Sequence, residues 1–233
     1  TEFSHMVMGT TCGMILADLG AEVIKIEPPG GDKTRRLPGL GMGFFRTFNR
    51  NKKSVVLDID TPEDREKALA LIGQSDVMIE NFRPGRMAAL GLDHLSLRER
   101  FPELIYVAHK GFLPGPYENR LALDEVVQMM GGLAYMTGPV GRPLRAGSSV
   151  NDIMGGMFGA IGVIAALYER KKTSRGQEIQ SALFDRGADL ATLGDDFAPS
   201  EMVLRIVPAQ VEWLEARIDF ANGSRMNYYG VLS

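Results

Sequence analysis

The sequence predicts an α/β protein built on a mainly parallel sheet flanked by helices. Three observations carry this: short β-branched runs such as Val23–Ile26 and Ser54–Ile59, segments of helical period between them, and one long glycine-containing apolar stretch from about Ile153 to Arg170. Strands alternating with helices form crossover units, which set neighbouring strands parallel.

The elements follow in order. Glu2-Phe3-Ser4 opens as a strand; Met14, Ile15, Ala17 and Leu19 suit a short helix closed by Gly20. Val23–Ile26 is the next strand, ended by the loop Pro28–Asp32. Ser54–Ile59 is a third strand. Thr61 then caps a helix reaching about Gly73, with Pro62 at its first position and Glu63 and Asp64 in the first turn. Asp76–Glu80 and Leu104–Ala108 read as strands joined by short helices between Pro84 and Arg100. This order predicts a Rossmann-like sheet.

After Gly111 the texture changes. Loops rich in Gly and Pro, Leu113–Tyr117 and Gly138–Pro143, flank a helix near Asp124–Leu133. The long helix from about Ile153 to Arg170 leads through a turn at Lys171–Gly176 into a strand over Glu178–Phe184. Its Gly155, Gly156, Gly159 and Gly162 each cost about 0.8–1 kcal/mol relative to alanine. Close packing against a neighbouring backbone or a ligand is the expected offset. From Asp185 the pattern weakens, and Trp213–Ile218 reads as helical. The domain reading is therefore a large domain over 1–184 and a tail over 185–233, with no internal repeats.

Composition excludes several classes. The 233 residues carry a formal charge of −3 from 26 basic and 29 acidic side chains, so no basic field points to nucleic acid. Hydrophobic residues at 45% and charged residues at 24% are globular usage, neither disordered nor collagen-like. One cysteine, Cys12, excludes a disulfide scaffold and fits a reducing, cytoplasmic compartment. His5, His94 and His109 are too scattered for a metal cluster. No stretch reads as a signal peptide, and Ile153–Tyr168 falls short of the roughly 20 residues of a membrane span.

The opening strand, helix and strand ending in Glu27 mimic a dinucleotide fold, but the loop Met8-Gly9-Thr10-Thr11-Cys12-Gly13 lacks the Gly-x-Gly-x-x-Gly fingerprint. That disfavours a nicotinamide or flavin enzyme, and no Walker loop is present. Lys33, Arg35, Arg36, Arg46, Arg50, Lys52 and Lys53 follow one another with no acid after Asp32. The plain reading is a solvated surface; the sharper one is recognition of a polyanionic small molecule through charge-assisted bonds. Asp152 enters the glycine-rich helix directly after Arg145–Asn151. It is either an ordinary N-cap or a carboxylate held ionised at a helix N-terminus, open enough at Gly155 and Gly156 to act as a covalent nucleophile.

Together these blocks resemble a known family. Leu19–Glu27, Asn49–Val55, Glu80-Asn81-Phe82-Arg83-Pro84-Gly85, Leu90-Gly91-Leu92, Asp124–Gln128, Gly131-Gly132, Asp152 with its glycines and Thr173–Gln177 stand in the order of the family III coenzyme A transferases. The resemblance runs from Glu2 to about Phe184. It implies an acyl-CoA:carboxylate CoA-transferase with the family-type large domain, the smaller second domain being largely absent from this chain. Asp152 stands at the catalytic aspartate, working through an aspartyl mixed anhydride and an aspartyl-CoA thioester. Asn81 and Phe82 lie where the family contacts CoA; Arg50, Lys52, Lys53 and Arg83 suit its phosphates. The implied partners are acyl-CoA and a small carboxylic acid as substrates, with no permanently bound cofactor, no metal and no membrane, and a homodimer interlocked as in the family.

Departures from the pattern shape the expectation. Val7 stands where the oxalate-using branch has glutamine, and Pro28 and Leu121 stand where basic CoA contacts are found in formyl-CoA transferase. Leu123 stands where related α-methylacyl-CoA racemases place a histidine. Racemisation needs two opposed acid/base groups, so transfer is the better reading. An isomerase of that type and a non-catalytic CoA-binding remnant are the alternatives.

Overall fold

The computed structural model describes residues 1–184 and, as backbone strands, 199–205, 213–220 and 225–231. The chain forms two compact units, one of Thr1–Lys110 with Asp152–Ser181, the other of Gly111–Asn151 with Ala182–Ser233. These units are discontinuous, so neither coincides with a cut at residue 184. The chain leaves the first unit at Lys110 and re-enters it at Asp152.

The first unit is a six-stranded parallel sheet with helices on both faces. In chain order it comprises β1 (Glu2–Phe3), α1 (Met8–Asp18), β2 (Val23–Glu27), α2 (Phe44–Phe48), β3 (Lys52–Val56), α3 (Pro62–Ile72), β4 (Val77–Glu80), α4 (Arg86–Ala89), α5 (His94–Arg100) and β5 (Ile105–Lys110). The sheet order is β3-β2-β1-β4-β5-β6, where β6 is Glu178–Ala182. Register is parallel throughout β1–β5, with Glu2 opposite Lys25 and Ile79, and Ile24 opposite Lys53. Sequence and structure agree at α3: Thr61 accepts the Asp64 N–H and Pro62 occupies the first turn. α1 starts at Met8, earlier than the apolar period indicated, because Gly9, Thr10 and Thr11 are themselves buried against the sheet.

One sheet face carries the main apolar core. Phe3, Ile26, Met78, Tyr106 and Ala108 pack there with Ala68 and Ile72 of α3, Met87 of α4 and Leu97 of α5. The other face is covered by α1 and by the helix re-entering from Asp152, α8, which spans Val150–Thr173. A β-carbon on its Gly156 would lie 2.5 Å from the Met8 carbonyl oxygen and from Thr11 Cβ, and one on Gly162 would lie 2.9 Å from Ile179. The four glycines thus let the helix lie against α1, β5 and β6. The Ser181 hydroxyl donates to the Gly155 carbonyl at 2.9 Å. At 24 residues, with a mean hydropathy of 1.6 in its most apolar window, α8 has the length and composition to cross a membrane. Its glycine face is nevertheless spent on the sheet.

The second unit holds α6 (Asp124–Met130) and α7 (Leu133–Thr137). The sequence suggested one helix here; Gly132, at φ +86°, breaks it in two, a backbone that glycine adopts without strain. Strands β7 (Pro199–Arg205), β8 (Trp213–Phe220) and β9 (Arg225–Val231) form an antiparallel sheet in that order. The helical reading of Trp213–Ile218 is therefore corrected to strand. Leu214, Ala216, Ile218 and Phe220 alternate with polar residues, a period of two rather than 3.6. Of the tail read over 185–233, residues 185–198, 206–212, 221–224 and 232–233 lie outside the described residues.

Candidate active site

In a sheet of this order the crevice opens beyond the carboxyl ends of β1 and β4, where the chain direction of the connections switches. The sequence there is Ser4-His5 after β1 and Asn81-Phe82 after β4. The Asn81 side chain ties them: its Oδ1 accepts the His5 N–H at 3.0 Å and its Nδ2 donates to the His5 carbonyl at 2.7 Å. The His5 and Phe82 rings lie 5.7 Å apart. Glu80 Oε2 accepts the Phe82 N–H at 2.7 Å, bracing the same loop from the strand end.

The first turn of α1 joins this loop to α8. Gly9 sits so close that a β-carbon would lie 2.6 Å from Ser4 Cβ and 3.4 Å from Asn81 Cβ. The adjacent Met8 meets Gly155 and Gly156. Asp152 stands half-buried in the first turn of α8, one helical turn before those glycines. The start of α1 thus touches both Asn81 and the glycine pair that follows Asp152. That turn failed as a dinucleotide fingerprint, yet its small residues were the signal for close approach.

The basic residues are placed differently. Arg50, Lys52 and Lys53 lie at the amino end of β3, an edge strand, whereas Asn81 follows the carboxyl end of β4 in the same parallel sheet. Each is committed to an acid. Arg50 pairs with Asp18 and Lys53 with Glu22. Lys52, 2% exposed, lies 2.7 Å from the fully buried Glu2 and donates to the Thr10 carbonyl at 2.9 Å. Burial pushes the Lys52 ammonium below its ordinary pKa, against the pull of Glu2. Lys25 is buried beside them, 3.0 Å from Asp32 and 3.4 Å from Glu2. Arg35 grips Glu27 with two bonds of 2.7 and 2.6 Å. Burial raises the Glu27 pKa, and these bonds, with those from the Asp32 N–H and Ser54, outweigh it and hold the carboxyl at about 2. Within the basic run, Arg35 and Lys52 are therefore counter-charges to the buried acids Glu27 and Glu2. Arg83 is the exception among the candidates, an exposed guanidinium in the loop after β4.

In the second unit, Asp124 Oδ1 accepts the Asn151 N–H at 2.8 Å, a carboxylate on the opening N–H groups of α8. Gln128, fully buried, donates to Asp124 and to the Ser148 carbonyl at 3.2 Å, and accepts the Ala146 N–H at 2.6 Å. Arg145 Nη1 lies 3.3 Å from Glu125. The block Asp124–Gln128 thus secures the segment leading into α8.

A cleft of about 270 Å³ opens in the first unit over Glu80, Tyr106, Lys110 and Glu178. Two other groups are closed to chemistry. Cys12 is fully buried and its thiol is pushed up by burial, so it stays protonated and unreactive. His109 is 2% exposed, both ring nitrogens lack a hydrogen-bond partner among the described residues, and burial lowers it to about 3. No group of three or more metal-ligating side chains occurs among the described residues.

Comparison with known proteins shows the family. The sequence profile of CoA-transferase family III matches residues 1–201. Formyl-CoA:oxalate CoA-transferase of Rhodopseudomonas palustris is 40% identical over 190 residues, covering 79% of this chain and 45% of that protein. Succinyl-CoA:mesaconate CoA-transferase of Haloarcula hispanica is 36% identical over 198 residues, covering 79% and 50%. Among solved structures, a CAIB/BAIF family protein from Brucella suis superposes with a TM-score of 0.76 at 34% identity, covering 93% of this chain and 63% of that one. Rv3272 from Mycobacterium tuberculosis also gives 0.76, at 35% identity, covering 87% and 59%. The chain spans about half the length of the curated relatives it matches. On the profile match, the identities and the shared sheet, this chain belongs to CoA-transferase family III.

Proposed function

We propose that the protein transfers coenzyme A from an acyl-CoA donor to a carboxylic acid, with Asp152 as the covalent nucleophile. One observation carries the reading: the first turn of α1 stands between Asn81 and the glycine pair that follows Asp152, so the family's CoA-contact loop and the aspartate share one wall.

The steps balance without any proton transfer. An Asp152 carboxylate oxygen adds to the donor thioester carbonyl and expels CoA thiolate, leaving an acyl-aspartyl anhydride. The thiolate attacks the aspartyl carbonyl, releasing the donor acid as a carboxylate and leaving an aspartyl-CoA thioester. The acceptor carboxylate attacks that thioester, forming a second anhydride and freeing thiolate again. Thiolate then takes the acceptor's acyl carbon, and Asp152 returns as carboxylate. Such chemistry needs charge placement rather than an acid–base pair, and the positive end of a 24-residue helix supplies it.

Arg83, with Asn81 and Phe82, is the favoured CoA contact. Arg50, Lys52 and Lys53 are not assigned to phosphates, because Arg50 and Lys53 are paired with Asp18 and Glu22 and the Lys52 ammonium is buried against Glu2. Val7, 1% exposed and aliphatic, offers no donor to a second carboxylate, which favours an acceptor other than oxalate. The reading takes the enzyme as cytoplasmic, with no permanent cofactor and with neither nucleic acid nor membrane as partner. Its homodimer is supported by an exposed apolar face of α8 at Met157, Ile161, Ile164 and Tyr168.

The test is chemical trapping. Incubation with succinyl-CoA followed by borohydride or hydroxylamine is expected to modify Asp152, and Asp152→Ala is expected to abolish exchange of label between acyl-CoA and free acid. An adduct on another residue, or exchange surviving in the variant, overturns the assignment. CoA binding by the native protein with no exchange would leave a binding protein only.

A further inference from the structure

The cleft beside β4 holds a buried carboxylate, Glu80, that the covalent chemistry does not use. Glu80 is the last residue of β4 and is 3% exposed. Its backbone is fixed on both sides, opposite Phe3 of β1 and Ala108 of β5. Its Oε2 accepts the Phe82 N–H at 2.7 Å, and its Oε1 lies 3.9 Å from Lys110 Nζ. The loop it braces is the one whose Asn81 is stapled to His5. A carboxylate therefore reaches from a strand end to the Phe82 N–H.

We propose that Glu80 is a positioning residue for coenzyme A: its ionised carboxylate fixes the Asn81–Phe82 loop in the CoA-binding conformation, and its protonation loosens that loop. This rests on the placement of CoA at Asn81 and Phe82 made above. The titratable and charged groups that line the cleft with Glu80 are Tyr106 and Lys110 of β5, Glu178 of β6, Asp93 and His94 at the start of α5, and Arg83 of the loop itself. Burial raises Glu80 to about 7, opposed by Lys110 and the Phe82 N–H and reinforced by Glu178. The cleft gives its proton a route to solvent. A hydrogen bond to a carboxylate is roughly twice as strong as one to a neutral acceptor, so losing the charge weakens the hold on Phe82 N–H. The attraction to Lys110 is lost with it. CoA affinity is then higher above pH 7 and lower below it.

The experiment measures CoA affinity of the full chain by calorimetry from pH 6 to pH 8, with the amide exchange rate of Phe82 recorded alongside. Wild type is expected to weaken about five- to tenfold on going from pH 8 to pH 6. Glu80→Gln keeps an acceptor without a charge, so it is expected to lack this pH dependence, and the wild-type-to-variant affinity ratio, in which titration of the CoA phosphates cancels, is expected to fall about five- to tenfold from pH 8 to pH 6. Glu80→Ala is expected to bind about tenfold more weakly at pH 8 and to exchange the Phe82 amide faster. Glu80→Gln tracking the wild-type pH curve, or an unchanged Phe82 exchange rate in Glu80→Ala, overturns the proposal. Asn81→Ala and Phe82→Ala separate it from its premise: if both bind CoA as wild type does, the placement of CoA fails, and the role of Glu80 toward it fails with that placement. If they bind weakly while Glu80→Gln behaves as wild type, only the Glu80 assignment falls.

Discussion

Gly159 of α8 lies over the imidazole of His109 in β5: a β-carbon on it would stand 3.0 Å from Nε2 and nearer still to Cε1. The same helix meets the Met8 carbonyl at Gly156. These contacts differ in how far the neighbour can yield. The Met8 side chain opposite Gly155 ends in a flexible methyl; the Met8 carbonyl and the buried ring do not move freely.

Alanine at these positions therefore separates propensity from packing. Each substitution gains about 0.8–1 kcal/mol of helix propensity, and overpacking costs typically 1–3 kcal/mol. Gly155→Ala is expected to leave stability within about 1 kcal/mol of wild type. Gly156→Ala and Gly159→Ala are expected to lose about 1–2 kcal/mol net. Urea denaturation midpoints at constant slope decide the order; equal midpoints for the three variants would contradict it.

His109 makes stability depend on acid. Its pKa falls from the ordinary 6.5 to about 3 because burial penalises the imidazolium. The unfolded chain binds a proton that the fold refuses, so this contribution is complete above pH 6.5 and is lost as pH falls toward 3. The loss is about 1.4 kcal/mol per pH unit within that window. His109→Met, which carries no proton, is expected to show a shallower decline in unfolding free energy between pH 6 and pH 4, by about one proton's worth of slope. Parallel curves for the two proteins would refute this origin.

The Lys52–Glu2 pair predicts a contrast along the basic run. Lys52→Met removes the nearer of the two ammonium groups on the fully buried Glu2, leaving Lys25 at 3.4 Å, and is expected to cost about 3 kcal/mol. Adding Glu2→Gln should restore part of that loss. Arg50→Ala and Lys53→Ala remove pairs with exposed partners and are expected to cost under about 1 kcal/mol. Neither should alter CoA affinity in calorimetry; a severalfold weakening in either would return phosphate binding to this edge of the sheet.

Much of the sheet was legible because local signals agreed with it. Thr61-Pro62 marked the start of α3 as well as any residue pair can, and the β-branched runs placed β2 and β4. Asp152 at the head of a glycine-rich helix was readable for the same reason, since helix starts and small residues have local causes. What sequence could not supply was pairing at a distance. Seven basic residues in one stretch look like a single surface until the strand register sends Lys52 inward onto Glu2 and Arg35 onto Glu27. Glu80 looked like the end of a strand, and only the fold puts Lys110 and Glu178 around it. In β8 the alternation of Leu214, Ala216, Ile218 and Phe220 was present in the sequence but was read with the wrong period.

The buried ionic face has a consequence for how the sheet assembles. Lys25 of β2 and Lys52 of β3 sit on adjacent strands, and the anion that both approach, Glu2, arrives on a third. A ribbon of β2 and β3 alone would carry two ammonium groups side by side with that anion missing, and water would have to stay. Docking of β1 therefore completes the charge balance of Lys52, while Lys25 already has Asp32 at 3.0 Å.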